Sequence, residues 1–76
     1  MDKELKQTIG KNLKKFREEK GLTQTDVAMI LGSNKSTIAT WEQGRAVPDI
    51  EMAHRLMLYY GKIMENLFEA NENPDQ

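Results

Sequence analysis

Four isolated glycines, at positions 21, 32, 44 and 61, divide the sequence into short segments. Within these segments apolar residues recur at spacings of three and four, as they do on one face of an α-helix. Glycine commonly ends a helix because it adopts the left-handed backbone conformation at little steric cost. Four such breaks predict five helices, so the chain is predicted to be all-α.

The first two predicted helices cover about residues 3–20 and 23–31. Thr23 is the expected N-cap of the second, and Asp26 three residues later gives a variant of the capping box. The aspartate side chain is shorter than the usual glutamate, so we expect it to reach the Thr23 amide less well. The residues expected to face the core are Leu5, Ile9, Leu13 and Phe16, followed by Val27, Ala28 and Leu31.

The other three helices are predicted over about residues 35–43, from 48–49 to about 60, and over 62–69. Ser33 or Asn34 can cap the third helix, and Pro48 with Asp49 starts the fourth. The polar residues 71–76 are expected to be disordered, which leaves one domain over residues 1–70. The expected core residues are Ile38 and Trp41 in the third helix, and Ile50, Ala53, Leu56, Met57 and Tyr60 in the fourth.

The composition of the chain limits its chemistry. At 76 residues it has room for one core, since a chain this short buries only roughly 60% of its unfolded surface. It contains no cysteine, which excludes disulfides, thiolate zinc sites and cysteine nucleophiles. No apolar run approaches the about 20 residues of a membrane-spanning helix, and the N-terminus lacks the apolar stretch of a signal peptide. A cytoplasmic location is therefore expected.

No catalytic or metal-binding set of residues is evident. His54, the only histidine, lies beside Arg55 and has no second metal-ligating residue at a suitable spacing. Ser33 and Ser36 lie at a helix start without a candidate base. We expect neither enzymatic activity nor a metal or cofactor.

The charge is unevenly distributed along the chain. The formal net charge is −1, which by itself argues against a nucleic-acid partner. Residues 1–45, however, hold nine Lys or Arg against six Asp or Glu, whereas residues 46–76 hold two against six. Any binding to phosphates is therefore expected in the first part.

The second and third predicted helices are joined by a tight turn that contains a glycine, which is typical of a helix-turn-helix unit. In such a unit the first helix braces the second, and the second can enter the major groove of DNA. Gln24 lies near the N-terminus of the second predicted helix and can offer its amide to a phosphate. On residue type alone a solvated polar face is the simpler interpretation. The candidate base-reading residues are Asn34, Lys35, Ser36 and Thr40.

The segment LTQTDVAMILGSNKSTIATWEQGRAVP at residues 22–48 resembles the helix-turn-helix core of XRE-type regulators, the group of the lambdoid phage repressors and Cro proteins. The matching motifs are T-Q-x-x-x-A-x-x-L-G at 23–32, S-T-I at 36–38 and W-E-Q-G at 41–44, followed by Pro48. The resemblance covers about residues 9–68. It implies a compact five-helix, lambda-repressor-like DNA-binding domain.

The resemblance also implies roles for individual residues and favours the DNA-reading interpretation over the solvated face. It implies a structural ion pair between Arg17 on the first helix and Glu42 on the third. The remaining implied roles are base reading by Asn34, Lys35, Ser36 and Thr40, and phosphate contact by Gln24, Gln43 and Arg45.

Several positions depart from the pattern of the family. Ser33 stands where an apolar residue is frequent, and Lys62 stands where a branched apolar residue is usual. Met29 and Ile30 fall where members commonly carry polar residues. Exposed apolar side chains at these two positions could mark a surface for a partner.

Two functions follow from these patterns. The first is a sequence-specific transcriptional regulator, a repressor by resemblance, that binds a double-stranded DNA operator as a homodimer. Its dimer interface is expected around the fifth helix, where Met64, Leu67 and Phe68 offer apolar surface. The alternative is a protein-interaction module, such as an antitoxin or anti-repressor, that binds protein through Met29, Ile30 and the acidic C-terminal half of the chain. An antitoxin that also represses its own promoter would satisfy both.

Overall fold

The computed structural model describes residues 1–70 and places five α-helices in them. The prediction of an all-helical chain with five helices is confirmed. None of the helices in this part of the chain is long and apolar enough to cross a membrane. The expected disorder of residues 71–76 lies outside the described residues. The helices are α1 (Lys3–Glu19), α2 (Gln24–Leu31), α3 (Lys35–Glu42), α4 (Ile50–Tyr60) and α5 (Met64–Leu67).

The N-terminus of α2 carries a complete capping box. The Asp26 backbone amide donates to the Thr23 hydroxyl at 3.0 Å, and the Thr23 amide donates to Asp26 Oδ2 at 2.9 Å. The expectation that the shorter aspartate would reach this amide poorly was wrong, because the extended backbone of Thr23 brings its N–H within reach. The hydrogen bond from the Thr23 amide, with a smaller contribution from the Thr23 side chain, lowers the pKa of Asp26 because it stabilises the charged carboxylate.

The fifth helix is shorter than predicted. It spans Met64–Leu67 rather than residues 62–69, because Ile63 is extended and donates its amide to Asn66 Oδ1 at 2.9 Å. At the other end, the Asn12 side-chain amide of α1 donates to the carbonyls of Leu67 at 2.8 Å and Glu69 at 2.9 Å. Asn12 is buried, and sequence analysis gave it no role. It fixes the end of α5 against α1.

One continuous apolar core draws on all five helices. Phe16 of α1 and Tyr60 of α4 meet edge to face with ring centroids 6.3 Å apart. Lys62 covers the Phe16 ring at 4.8 Å from its centroid and also pairs with Glu19 at 3.4 Å. The buried apolar residues are Ile9, Leu13, Phe16, Val27, Ala28, Leu31, Ile38, Trp41, Ala53, Leu56, Met57, Tyr60 and Leu67.

Two predictions about burial were wrong. Ile50 was expected in the core but is 81% exposed. It is the first residue of α4, and the other helices do not cover this end of the apolar face of α4. Leu67 was expected at a dimer surface but is buried, because α5 packs against α1 and α4. Leu5 is partly buried at the edge of the core, and the other predicted core residues are buried as expected.

Candidate nucleic-acid interface

The turn between α2 and α3 consists of residues 32–34 and is closed by backbone hydrogen bonds. Gly32 has φ 70° and ψ 33°, and Ser33 donates its amide to the Ala28 carbonyl at 2.8 Å. A Cβ at Gly32 would meet no other atom within 4 Å, so the backbone angle alone favours glycine here. This turn fixes the direction in which α3 leaves α2.

Asn34 is the N-cap of α3, and its side chain organises the start of this helix. Its Oδ1 accepts hydrogen bonds from the Thr37 amide at 2.9 Å, the Thr37 hydroxyl at 2.9 Å and the Ser36 hydroxyl at 2.7 Å. The carbonyl oxygen of this predicted base-reading residue is therefore occupied. The amide Nδ2 is the group that remains to contact a ligand.

Ser36 and Thr40 lie one turn apart on the same face of α3. Ser36 is exposed and Thr40 is partly buried. The Thr40 hydroxyl donates to the Ser36 backbone carbonyl at 2.8 Å, while the Ser36 hydroxyl donates to Asn34. Both hydroxyl hydrogens are thus used within the protein. Each oxygen keeps lone pairs that can accept a hydrogen bond from outside.

The cationic residues of the predicted interface lie at opposite ends of α3. Lys35 is the first residue of the helix, and Arg45 follows its C-terminal end, where the Arg45 amide donates to the Thr40 carbonyl at 3.1 Å. Both side chains are exposed, as is that of Gln43, the C-cap. Neither Lys35 nor Arg45 takes part in an ion pair with another residue of the range 1–70.

Glu42, in the last turn of α3, joins three helices. Arg17 of α1 donates its Nε to Glu42 Oε2 at 2.7 Å and its Nη2 to Oε1 at 3.0 Å. The third Arg17 donor, Nη1, binds the Leu22 carbonyl at 2.7 Å. The hydrogen bond to Glu42 raises the pKa of Arg17, against the opposing effect of burial. The structure thus contains the ion pair that the family resemblance implied.

Gln24 also contacts Glu42, which bears on its predicted contact with phosphate. Its Nε2 donates to Glu42 Oε1 at 3.0 Å, and the residue is partly buried as the first of α2. One of its two amide hydrogens is therefore used to join α2 to α3. The second hydrogen is left for a ligand.

Gly10 is a positioning residue that sequence analysis missed. It is buried in the interior of α1, and a Cβ there would lie 2.6 Å from the Trp41 carbonyl oxygen and 2.7 Å from that of Glu42. The absent side chain lets the C-terminal end of α3 approach the α1 backbone. The available signal was a glycine inside an otherwise periodic helix, where it costs about 1 kcal/mol relative to alanine and so implies a packing reason.

Comparisons with known proteins agree with this geometry. The family model described as "Helix-turn-helix domain" matches residues 10–71. The HTH-type transcriptional regulator PuuR of Escherichia coli strain K12 is 34% identical over 67 residues, which is 88% of this chain and 36% of PuuR. The chain therefore spans about a third of the length of this relative.

Two solved structures share the fold. The LexA SOS-response transcriptional repressor from Eubacterium rectale has a TM-score of 0.83 and 25% identity, and the match covers 91% of this chain and 73% of that one. The DNA-binding domain of BldD has a TM-score of 0.78 at 20% identity, with 91% of this chain and 100% of that one covered. The second of these likenesses concerns the fold alone.

Proposed function

Because this chain belongs to the helix-turn-helix domain family of DNA-binding transcription regulators, we propose that it recognises a specific double-stranded operator by inserting α3 into the major groove. The observation that carries the proposal is that the N-terminal part of α3 is exposed, while Glu42 at its C-terminal end is bonded to the other helices. Arg17 and Gln24 both bind that carboxylate. The helix is therefore braced on its buried side while its polar side faces solvent.

The hydrogen-bond geometry supports a chemical preference for each proposed reading residue. Ser36 and Thr40 have used their hydroxyl hydrogens, so they act as acceptors for the amino groups of adenine or cytosine. Lys35 and the Nδ2 of Asn34 act as donors toward guanine O6 and N7 or thymine O4. Each position of α3 then favours a subset of bases.

Three residues outside this reading face are proposed to contact phosphates. Arg45 and Gln43 are exposed at the C-terminal end of α3, and Gln24 retains one amide hydrogen at the N-terminus of α2. Contacts to phosphate fix the register of the protein on DNA without carrying sequence information. The net charge of −1 does not argue against such contacts, since most of the basic residues lie in the first part of the chain.

We extend the proposal to repression by a cytoplasmic homodimer that covers a promoter. A two-fold dimer places two reading helices about 34 Å apart on a pseudo-palindromic site. The surface near α5 supports such an interface. There Ile50, Phe68 and Met1 are 81%, 47% and 68% exposed and line one apolar pocket together with the partly buried Met64.

The proposal is tested by selection from a pool of randomised DNA duplexes at two salt concentrations, with the bound fraction sequenced. We expect an enriched two-fold-symmetric motif whose binding weakens steeply as salt rises. Absence of binding even at low salt would overturn the proposal and leave the alternative of a module that binds protein alone.

A further inference from the structure

A groove open to solvent lies between the C-terminal end of α2 and the last turns of α4. It is lined by Ile30, Leu31, Arg55, Leu58 and Tyr59, and we call it the α2–α4 groove. No residue of α3 lines it, so it is separate from the proposed DNA-reading face. An occupant of the groove would leave the exposed side chains of α3 free.

Apolar side chains that line the α2–α4 groove are exposed to solvent. Leu58 is 67% exposed, Tyr59 45% and Ile30 38%. The Tyr59 ring is held by an edge contact with Tyr60, at 6.1 Å between centroids. Neighbouring exposed apolar residues on a small protein are typical of a binding surface.

Arg55 adds one positive charge to this apolar lining. Between residues 46 and 70 the only other cation is Lys62, and Lys62 pairs with Glu19. The Arg55 guanidinium contacts the Met52 sulfur at 3.8 Å and makes no ion pair with any residue of the described part of the chain. A planar guanidinium with free donors is suited to bind a carboxylate.

We infer that the α2–α4 groove binds an amphipathic helical segment of a second protein. The segment places apolar side chains against Ile30, Leu58 and Tyr59 and a carboxylate against Arg55. This mode of recognition combines a helix in an apolar groove with one ion pair at the edge. The inference goes beyond DNA binding and does not depend on it.

The charge of the groove argues against two other occupants. A nucleic acid would need a row of cations along its phosphates, whereas the groove offers a single arginine. A second copy of this chain that docked through its own α4 would bring no carboxylate to Arg55. If antiparallel α4 helices met at Leu58, each Arg55 would face the second copy's Gly61 and lie beside its Lys62.

The inference is tested with a phage-displayed library of 15-residue peptides, panned on the whole chain. Enriched peptides are expected to combine apolar residues at helical spacing with aspartate or glutamate. The affinity of a synthetic copy, measured by fluorescence anisotropy, should fall at least tenfold for Leu58→Asn and for Arg55→Glu. A peptide with lysine in place of its acidic residue should recover binding to Arg55→Glu.

Controls make these outcomes decisive. Ile63→Asn changes an apolar residue that is 61% exposed and does not line the groove, so peptide binding should be unchanged. The groove variants should also keep the DNA affinity of the wild type, which separates this inference from the proposed function. Peptides insensitive to Leu58→Asn and Arg55→Glu would overturn the inference, as would a solution dimer that Leu58→Asn converts to monomer in sedimentation experiments.

Discussion

The carboxylate of Glu42 on α3 accepts two hydrogen bonds from the guanidinium of Arg17 on α1, at 2.7 and 3.0 Å. The side chains are 10% exposed for Arg17 and 5% for Glu42, so the pair is largely withdrawn from water. Removing one partner leaves the other charge buried without compensation, which costs far more than removing both.

We therefore expect Glu42→Gln to lower the free energy of unfolding by about 3 kcal/mol, since the Arg17 charge stays buried. The double variant Arg17→Met with Glu42→Gln should lose clearly less than the sum of the single variants Arg17→Met and Glu42→Gln. Urea unfolding followed by circular dichroism gives all four free energies. Strictly additive losses would contradict the strong coupling inferred from the geometry.

Gly10→Ala tests the close approach of α1 and α3. Alanine favours a helix over glycine by about 1 kcal/mol, yet its Cβ would lie 2.6 Å from a backbone oxygen that cannot rotate away. The helices must separate, and overpacking of this kind costs about 1–3 kcal/mol. We expect a lower midpoint of thermal unfolding.

Lys14→Ala, at an exposed position of the same helix, is the matched control for Gly10→Ala and should leave the midpoint nearly unchanged. A Gly10→Ala variant that is more stable than the wild type would show that α3 does not need this approach.

The roles proposed for the residues in and around α3 predict two kinds of variant. Ser36→Ala and Thr40→Ala each remove one acceptor, so each should lower discrimination at one base position by about 1–3 kcal/mol. Arg45→Ala should weaken binding to all duplexes alike and reduce the dependence on salt. Titrations of a set of single-base operator variants distinguish the two patterns, and equal losses on every duplex for all three variants would contradict the assignment.

The raised pKa of Tyr60 predicts that the free energy of unfolding falls at alkaline pH. Burial, with a smaller contribution from the negative charge of Glu42, raises the pKa of Tyr60 to about 12 from its ordinary value of 10. The folded state thus favours the neutral phenol. This contribution to stability is present below pH 10 and is lost as the pH rises toward 12, by about 3 kcal/mol in total.

The measurement is the free energy of unfolding between pH 9 and 12 for the wild type and Tyr60→Phe. The free energy of unfolding of the wild type, relative to that of Tyr60→Phe, should fall across this range. Tyr59→Phe, which alters an exposed phenol, should follow the wild type. Parallel curves for all three proteins would show that Tyr60 titrates normally.

Much of the fold was predictable because its signals are local. Gly32 and Gly61 end helices through their own backbone conformation, and Thr23 begins one through hydrogen bonds within three residues. Helical spacing gave most of the core. It failed for Ile50, because periodicity shows which face a residue occupies and not how far along that face the core extends.

The features that sequence analysis missed depend on distant contacts. Asn12 binds carbonyl groups 55 and 57 positions away, and backbone acceptors leave no residue pattern. Gly10 meets the end of α3 in the same way. Within the proposed interface, residue types and family resemblance gave the candidate residues, and their contact with DNA stays a prediction. They did not predict that Asn34 uses its carbonyl oxygen to organise Ser36 and Thr37.

The sharing of Glu42 between Arg17 and Gln24 has a thermodynamic consequence for recognition. A helix that can tilt loses entropy when DNA fixes its orientation, and that loss subtracts from affinity. Here the orientation of α3 is already fixed in the free protein by contacts to two other helices. Most of the ordering has taken place during folding, so under the proposed function the energy of contact with DNA is available for discrimination between sequences.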